Sequence, residues 1–225
     1  MSLSVYKSLL LSITTQVVTG VIEIIALLIK VPTKFLFLKQ MLVLEVIVQF
    51  IEGSFYVYWF RNFKKIVNIT PQRYLDWVIT TPTMLITLIF YLIYLKYKKN
   101  DTSDQLHFFD LFKKEFNTII TILSLNWLML LFGYLGEIKL IPVLLGVTLG
   151  FIPFLIYYYI IYKKYALLSD DGLKVFYYFF IIWSAYGIVA ALPYKIKNTL
   201  YNILDLFSKN FFGIFLTYLL FTNMK

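Results

Sequence analysis

The stretch RYLDWVITTP, residues 73–82, sits in a run apolar enough for lipid, yet it places Arg73 and Asp76 one helical turn apart. Thr80, Thr81 and Pro82 follow, and the apolar run then continues to residue 95. Charges inside an apolar span are costly and rare, and those that occur face a protein interior or water. Arg73, Asp76, Thr80, Thr83 and Thr87 recur at alternating steps of three and four, which is one face of a helix. The stretch reads as the polar inner face of a membrane-spanning helix. The rest of the chain must supply what that face meets.

The 225-residue chain is 60% hydrophobic and 20% aromatic, with 15% charged residues against a soluble norm of about 25%. A soluble core of this size has no room for so much apolar surface. The lipid bilayer is the expected solvent. Without cysteine, disulfides, thiolate metal sites and thiol catalysis are excluded. The single histidine, His107, falls in a polar connector, which excludes a histidine metal cluster and a Ser–His–Asp triad. No enzymatic activity is expected. The net charge of +9 does not mark a nucleic-acid partner, because the lysines cluster between apolar runs as membrane-flanking charges do.

A spanning helix needs about 20 mostly apolar residues. Seven such runs occur, at 5–29, 35–60, 72–95, 116–136, 139–162, 173–193 and 199–223. The first is long enough to span and lacks a small-residue cleavage site, so a cleaved leader is not expected. Short linkers favour antiparallel neighbours in one bundle. The expected fold is an all-α membrane protein, a seven-transmembrane-helix bundle forming a single domain over residues 1–225. The longest linker is an inner loop at 96–115, where Leu106, Phe109, Phe112 and Phe116 share a helical face opposite Asp104, Lys114 and Glu115. That pattern suggests a short interfacial helix, and a solvated loop fits it nearly as well.

Lysine and arginine bias sets orientation. With the N-terminus outside and the C-terminus inside, the inner side holds Lys30, Lys34, Lys39, Lys96, Lys98, Lys99, Lys113, Lys114, Lys163, Lys164, Lys174 and Lys225. The outer side holds the smaller set of Lys7, Arg61, Lys64, Lys65, Lys139, Lys195 and Lys197. The bias favours this orientation, although Arg61, Lys64 and Lys65 crowd one outer loop.

Three other spans repeat the polar stripe: Ser12, Gln16, Thr19 and Glu23 in the first, Glu45, Gln49 and Glu52 in the second, Asn198, Asn202, Asp205 and Lys209 in the seventh. Spans four, five and six carry little comparable polarity. Such stripes can simply hold helices together, at about 0.6–2 kcal/mol per hydrogen bond. Glu23, near the inner end of its span, can also reach the interface. A lysine near mid-helix is harder to explain that way. It must be paired, deprotonated or chemically used. Lys209 lies one turn after Asp205, and Asp76 offers a second carboxylate. A neutral buried amine attacks an aldehyde, and the cation that results needs a counterion. The plainer reading is an Asp–Lys pair bracing the bundle.

RYLDWVITTP in the third span, WSAY (183–186) in the sixth and LDLFSK (204–209) in the seventh resemble the microbial, type-1 rhodopsins, and the likeness covers the whole seven-helix chain. The resemblance implies all-trans retinal attached covalently to Lys209. It implies Asp76 and Asp205 as paired counterions, Arg73 ordering charge and water on their outer side, and Trp77 and Trp183 flanking the polyene. Thr80, Thr81, Met84 and Tyr186 would line the pocket. The proton pumps of this family often carry a carboxylate eleven residues after the counterion, where this chain has Thr87. The acidic pair that pumps have near the outer end of the seventh helix is replaced by PYKIKN, and Gly187 and Ala190 stand where many relatives have proline and tryptophan.

Ser12 and Gln16 with Glu45 and Glu52 are similar to the viral rhodopsins, of the group I pattern. That likeness implies a light-gated cation channel, with Ser12, Gln16, Glu45, Glu52, Asn198 and Asn202 along the ion path. Glu45 and Glu52 would be constrictions, and Glu52 is expected to lie away from Lys209, so that losing its charge leaves the colour nearly unchanged. The alternative is a light-driven outward proton pump in which Glu45 replaces Thr87 as proton donor. A photosensor would need a separate membrane partner, because the sequence shows no output domain, and this reading is not favoured. The expected partners are retinal, lipid and transported cations or protons. A homo-oligomer is compatible with the sequence and not specified by it.

Overall fold

The computed structural model describes residues 3–222. Its seven long helices are α1 (Leu3–Leu28), α2 (Leu36–Arg61), α3 (Thr70–Lys99), α4 (Phe108–Glu137), α5 (Val143–Lys164), α6 (Asp170–Ala190) and α7 (Tyr194–Thr222). Each packs on the next, and α7 closes the ring against α1. Seven is odd, so the first and last helices run in the same direction. The side where α1 begins is called here the N-side and the side where α7 ends the C-side.

Local chemistry explains the boundaries. Asn68 accepts the Thr70 backbone N–H at 2.9 Å, and Pro71 occupies the first turn of α3, where its missing N–H is harmless. Ser169 caps α6 by accepting the Gly172 N–H at 3.0 Å. Lys96, Lys98 and Lys99 end α3, and Lys163 and Lys164 end α5, where cations suit the helix dipole. Two internal prolines, Pro82 and Pro153, are both buried.

Six helices are long and apolar enough to span a membrane. The exception is α2, whose 26 residues are ample but include Glu45 and Glu52. Within α3, 67% of the apolar window is buried against 22% in α6. That contrast makes α3 the central helix and α6 a lipid-facing one. The tightest helix contact joins α4 to α5. A Cβ on Gly146 would stand 2.7 Å from the Phe132 carbonyl oxygen and 3.2 Å from Gly136 Cα.

Three expectations change. The connector expected at 96–115 is shorter, because α3 continues to Lys99 and α4 begins at Phe108. Phe109, Phe112 and Phe116 therefore lie on the first turns of a spanning helix, not on a separate interfacial one. Thr83 leaves the buried stripe of α3: it is only partly buried, and its hydroxyl donates to the Ile79 carbonyl at 3.1 Å. Glu23 does not reach the interface, since it is fully buried. Lys225, counted among the inner lysines, lies outside the described residues.

Gly146→Ala should destabilise the fold by about 1–3 kcal/mol, because the α4–α5 backbones would have to separate. Gly20→Ala, in the interior of α1 with nothing within 4 Å of an added Cβ, should be neutral to slightly stabilising. Thermal melts of the two variants in detergent check the contrast.

Candidate functional site

Lys209 is 2% exposed, and three carboxylates from three helices surround its amine. Nζ stands 3.0 Å from Glu52 Oε1, 3.0 Å from Asp76 Oδ2 and 3.7 Å from Asp205 Oδ1. Asp76 and Asp205 are where the sequence reading placed them. Glu52 is not: expected away from Lys209, it is a direct partner. Its position along α2 is clear from the sequence, but the depth at which α2 sits beside α7 is not. Lys209 belongs to a π-helical turn, Leu206–Asn210, within α7. Such turns often mark functional positions.

On the N-side of this cluster Arg73 is fully buried and held from several directions. Nη1 donates to Tyr56 at 3.1 Å and pairs with Asp205 at 3.3 Å, and Nε donates to Asn198 at 3.1 Å. Nη2 donates to Asn202, and Tyr56 donates to Asp205. The guanidinium also lies over Trp59, 4.9 Å from the ring centroid. Asn202 donates to Ser8 at 2.9 Å, Ser12 donates to the Asn202 carbonyl at 2.9 Å, and Asn198 donates to Thr70 at 2.9 Å. The expected Ser12, Asn198 and Asn202 thus converge on Arg73. Tyr56 and Trp59 were missed, although they extend the stripe Glu45, Gln49, Glu52 at the same spacing.

An apolar cavity runs from Lys209 between α3 and α6. Trp77, Thr81, Met84, Trp183 and Tyr186 line it as expected. Thr80 does not; it is buried, with its hydroxyl donating to the Asp76 carbonyl at 3.0 Å. Tyr186 bridges the cavity wall to the charges, donating to Asp205 at 2.6 Å with Ser208 at 2.7 Å. The far end is lined by Gly150, Phe151, Gly187 and Ala190. A Cβ on Gly187 would lie 2.6 Å from Phe151 Cζ, so the Phe151 ring takes up the space left by the missing side chain. An aromatic-walled apolar slot with a primary amine at one end suits a long polyene aldehyde. The buried Asn126, a polar residue of α4 that the sequence reading passed over, fixes Thr81 by donating to its hydroxyl at 2.8 Å.

The C-side is different in kind. Asn210 donates to Thr19 at 2.7 Å and to Gln49 at 3.1 Å. Beyond them Glu45 lies beside the Thr87 hydroxyl, which donates to the Thr83 carbonyl at 3.1 Å and leaves both carboxylate oxygens without a donor of their own. Both amide atoms of Gln16, both oxygens of Glu23, Gln49 Nε2 and Asn210 Oδ1 are likewise buried and unpartnered. None of the side chains that hold Arg73 shares that condition.

Lys197 and Glu137 form a further pair that the sequence reading did not find, at 2.6 Å and 8% and 9% exposed, where α7 begins and α4 ends.

The family model described as bacteriorhodopsin-like protein matches residues 6–223. Among solved structures, viral rhodopsin OLPVRII superposes with a TM-score of 0.81 at 29% identity, covering 97% of this chain and 98% of that one. Exiguobacterium sibiricum rhodopsin gives 0.75 at 17% identity, with 100% of both chains covered, a likeness of fold. Blue light-absorbing proteorhodopsin from Med12 gives 0.73 at 22% identity, covering 97% and 96%. A comparison with curated protein sequences finds no match.

Removing one member of a buried pair leaves the other charge uncompensated, at about 3–5 kcal/mol. Lys197→Met should therefore lower the melting temperature, and the double variant Lys197→Met/Glu137→Met should recover most of the loss.

Proposed function

The chain belongs to the bacteriorhodopsin-like family, and from that premise we propose that it is a light-gated cation channel with its N-side outside the cell. Family members are multi-pass membrane proteins that carry covalently bound retinal, and light-driven ion transport is the activity they support. Retinal, attached as the all-trans form through Lys209, supplies the absorption of light and the change of shape that follows. The cavity from Lys209 past Trp77 and Trp183 fits that group.

Glu52, Asp76 and Asp205 hold positive charge at the Lys209 nitrogen in the dark. Arg73 shares Asp205 with Lys209, so the two cations are coupled through one carboxylate. Movement of charge at Lys209 changes what Asp205 offers to Arg73, Tyr56 and Tyr186. The Arg73 cluster closes the outer half while its hydrogen bonds are intact. Its release opens a route lined by Ser12, Asn198 and Asn202.

One observation carries the channel reading over a pump. Unpartnered buried polar atoms run from the level of Lys209 toward the C-side on α1, α2 and α7, from Gln16 through Gln49 and Asn210 to Glu23 and Glu45. In a low-dielectric interior each such group needs a hydrogen-bonding partner, and water in an internal path supplies it. Carboxylates along that path favour cations. A proton pump requires one donor carboxyl on this side and no column of amides. The pump retains a specific argument of its own: Glu45 is fully buried beside Thr87, the position where a donor is missing.

Three outcomes follow. Protein prepared with all-trans retinal should be coloured and Lys209→Ala colourless; a normal visible band in the variant removes the attachment assignment. Glu52→Gln and Asp76→Asn should each shift the band to the red, because each removes negative charge about 3 Å from the nitrogen. An unmoved band in Glu52→Gln would exclude it as a counterion. In voltage-clamped cells given retinal, the photocurrent should reverse sign with voltage, and the reversal point should move when external sodium is replaced by a large cation. A one-way current, slowed by Glu45→Gln and restored by azide, identifies the pump instead.

A further inference from the structure

Glu23 takes no part in the Lys209 cluster, yet it is fully buried with both carboxylate oxygens unpartnered. It is placed by a constant register between α1 and α7. Ser12 meets Asn202, Thr19 meets Asn210, and Glu23 meets Gly213. A Cβ on Gly213 would overlap the Glu23 carboxylate, so the seat exists only because that residue is glycine. From α2, Glu45 lies close enough to Glu23 to interact electrostatically, and it too has no partner for either oxygen. One turn beyond Gly213 on the same face of α7, Thr217 is 2% exposed and its hydroxyl is also unpartnered. Past this level the bundle closes with apolar side chains, among them Ala26, Leu42, Leu216 and Leu220.

We propose that Glu23, seated against Gly213, forms with the neighbouring Glu45 a binding site for a monovalent cation, with Glu23 as a selectivity-determining carboxylate of the path. The proposal rests on the channel reading. Two buried carboxyl groups without a protein donor are balanced either by taking up protons or by a bound positive charge, and a bound cation is the solution that serves conduction. Among the described residues, no lysine or arginine pairs with either. The facing groups are Glu23 from α1, Glu45 from α2, Thr87 from α3, and Gly213 and Thr217 from α7. The carboxylate and hydroxyl oxygens are ligands for a hard cation. Calcium takes about six to eight oxygens, and the described residues hold no group of three or more acidic or histidine side chains suited to a metal ion. A singly charged ion, held weakly enough to leave, suits this oxygen set and a conducting path.

The test is the sodium dependence of the photocurrent in cells given retinal, for wild type, Glu23→Gln and Gly213→Ala. The wild-type current should saturate with sodium. Glu23→Gln should raise the half-saturating concentration by about fivefold, the effect of one nearby charge in a hydrated path, and should change the potassium-to-sodium permeability ratio. Gly213→Ala keeps both acids but fills the seat, and should act in the same direction. Wild-type concentration dependence in both variants overturns the proposal. So does a wild-type current that follows the proton gradient alone, which leaves a proton-conducting channel. If the wild-type current proves one-way, the channel reading fails separately, and infrared spectra of dark membranes in sodium or N-methylglucamine decide the site. A sodium-dependent carboxylate band lost in Glu23→Gln supports the site, and the lack of such a band overturns it.

Discussion

The architecture depends on one amine buried among three carboxylates. An ammonium in a low-dielectric interior is tolerable only with close anions, and Lys209 has Glu52, Asp76 and Asp205 within 3.7 Å. These acids come from α2, α3 and α7, so the charge cluster sets the relative depth of three helices. It also explains why α2 carries buried acids inside an otherwise apolar helix. Its inward face is committed to this cluster and to the groups on either side of it.

The two halves of the bundle solve the problem of polarity in lipid differently. On the N-side the side chains that hydrogen-bond Arg73 are all partnered, and Trp59 covers the guanidinium. Such an arrangement is rigid and has few alternatives of similar energy. On the C-side amides and carboxylates are buried without protein partners, and their environment must be completed by something that moves. The N-side is built to hold, and the C-side to exchange.

Much of this was legible in the sequence because membrane helices leave two plain signals. Apolar length announced seven spans, and the stripes on the first, second, third and seventh correctly named the helices whose polar faces meet. The pairing of Lys209 with Asp205 is local to one helix and needs only its periodicity. Asp76 was offered as a second carboxylate by the polar stripe of the third span, and the family likeness gave it the role of counterion. The contact with Glu52 depends on the vertical offset between α2 and α7, which no single-helix pattern encodes. Gly213 looked like any helical glycine until the register with α1 put Glu23 against it. Asn126 and the Glu137–Lys197 pair were passed over for a related reason: a lone polar residue on an otherwise apolar helix makes no stripe.

The polarity of α2 also bears on how the protein enters its membrane. A charged residue at the centre of an isolated span disfavours insertion by about 2.5–3.5 kcal/mol, and α2 carries Glu45 and Glu52 with Gln49 between them. Taken alone, this segment is a poor candidate to leave an insertion channel sideways for lipid. Its immediate predecessor is the suitable companion. α1 presents Gln16, Thr19 and Glu23, and the link between the two helices is short. The first hairpin should therefore partition as a unit, with the polar faces turned toward each other until α7, the last to be made, arrives with the lysine they await. Biogenesis then inherits an order of events from the same stripe that meets the lysine in the finished molecule.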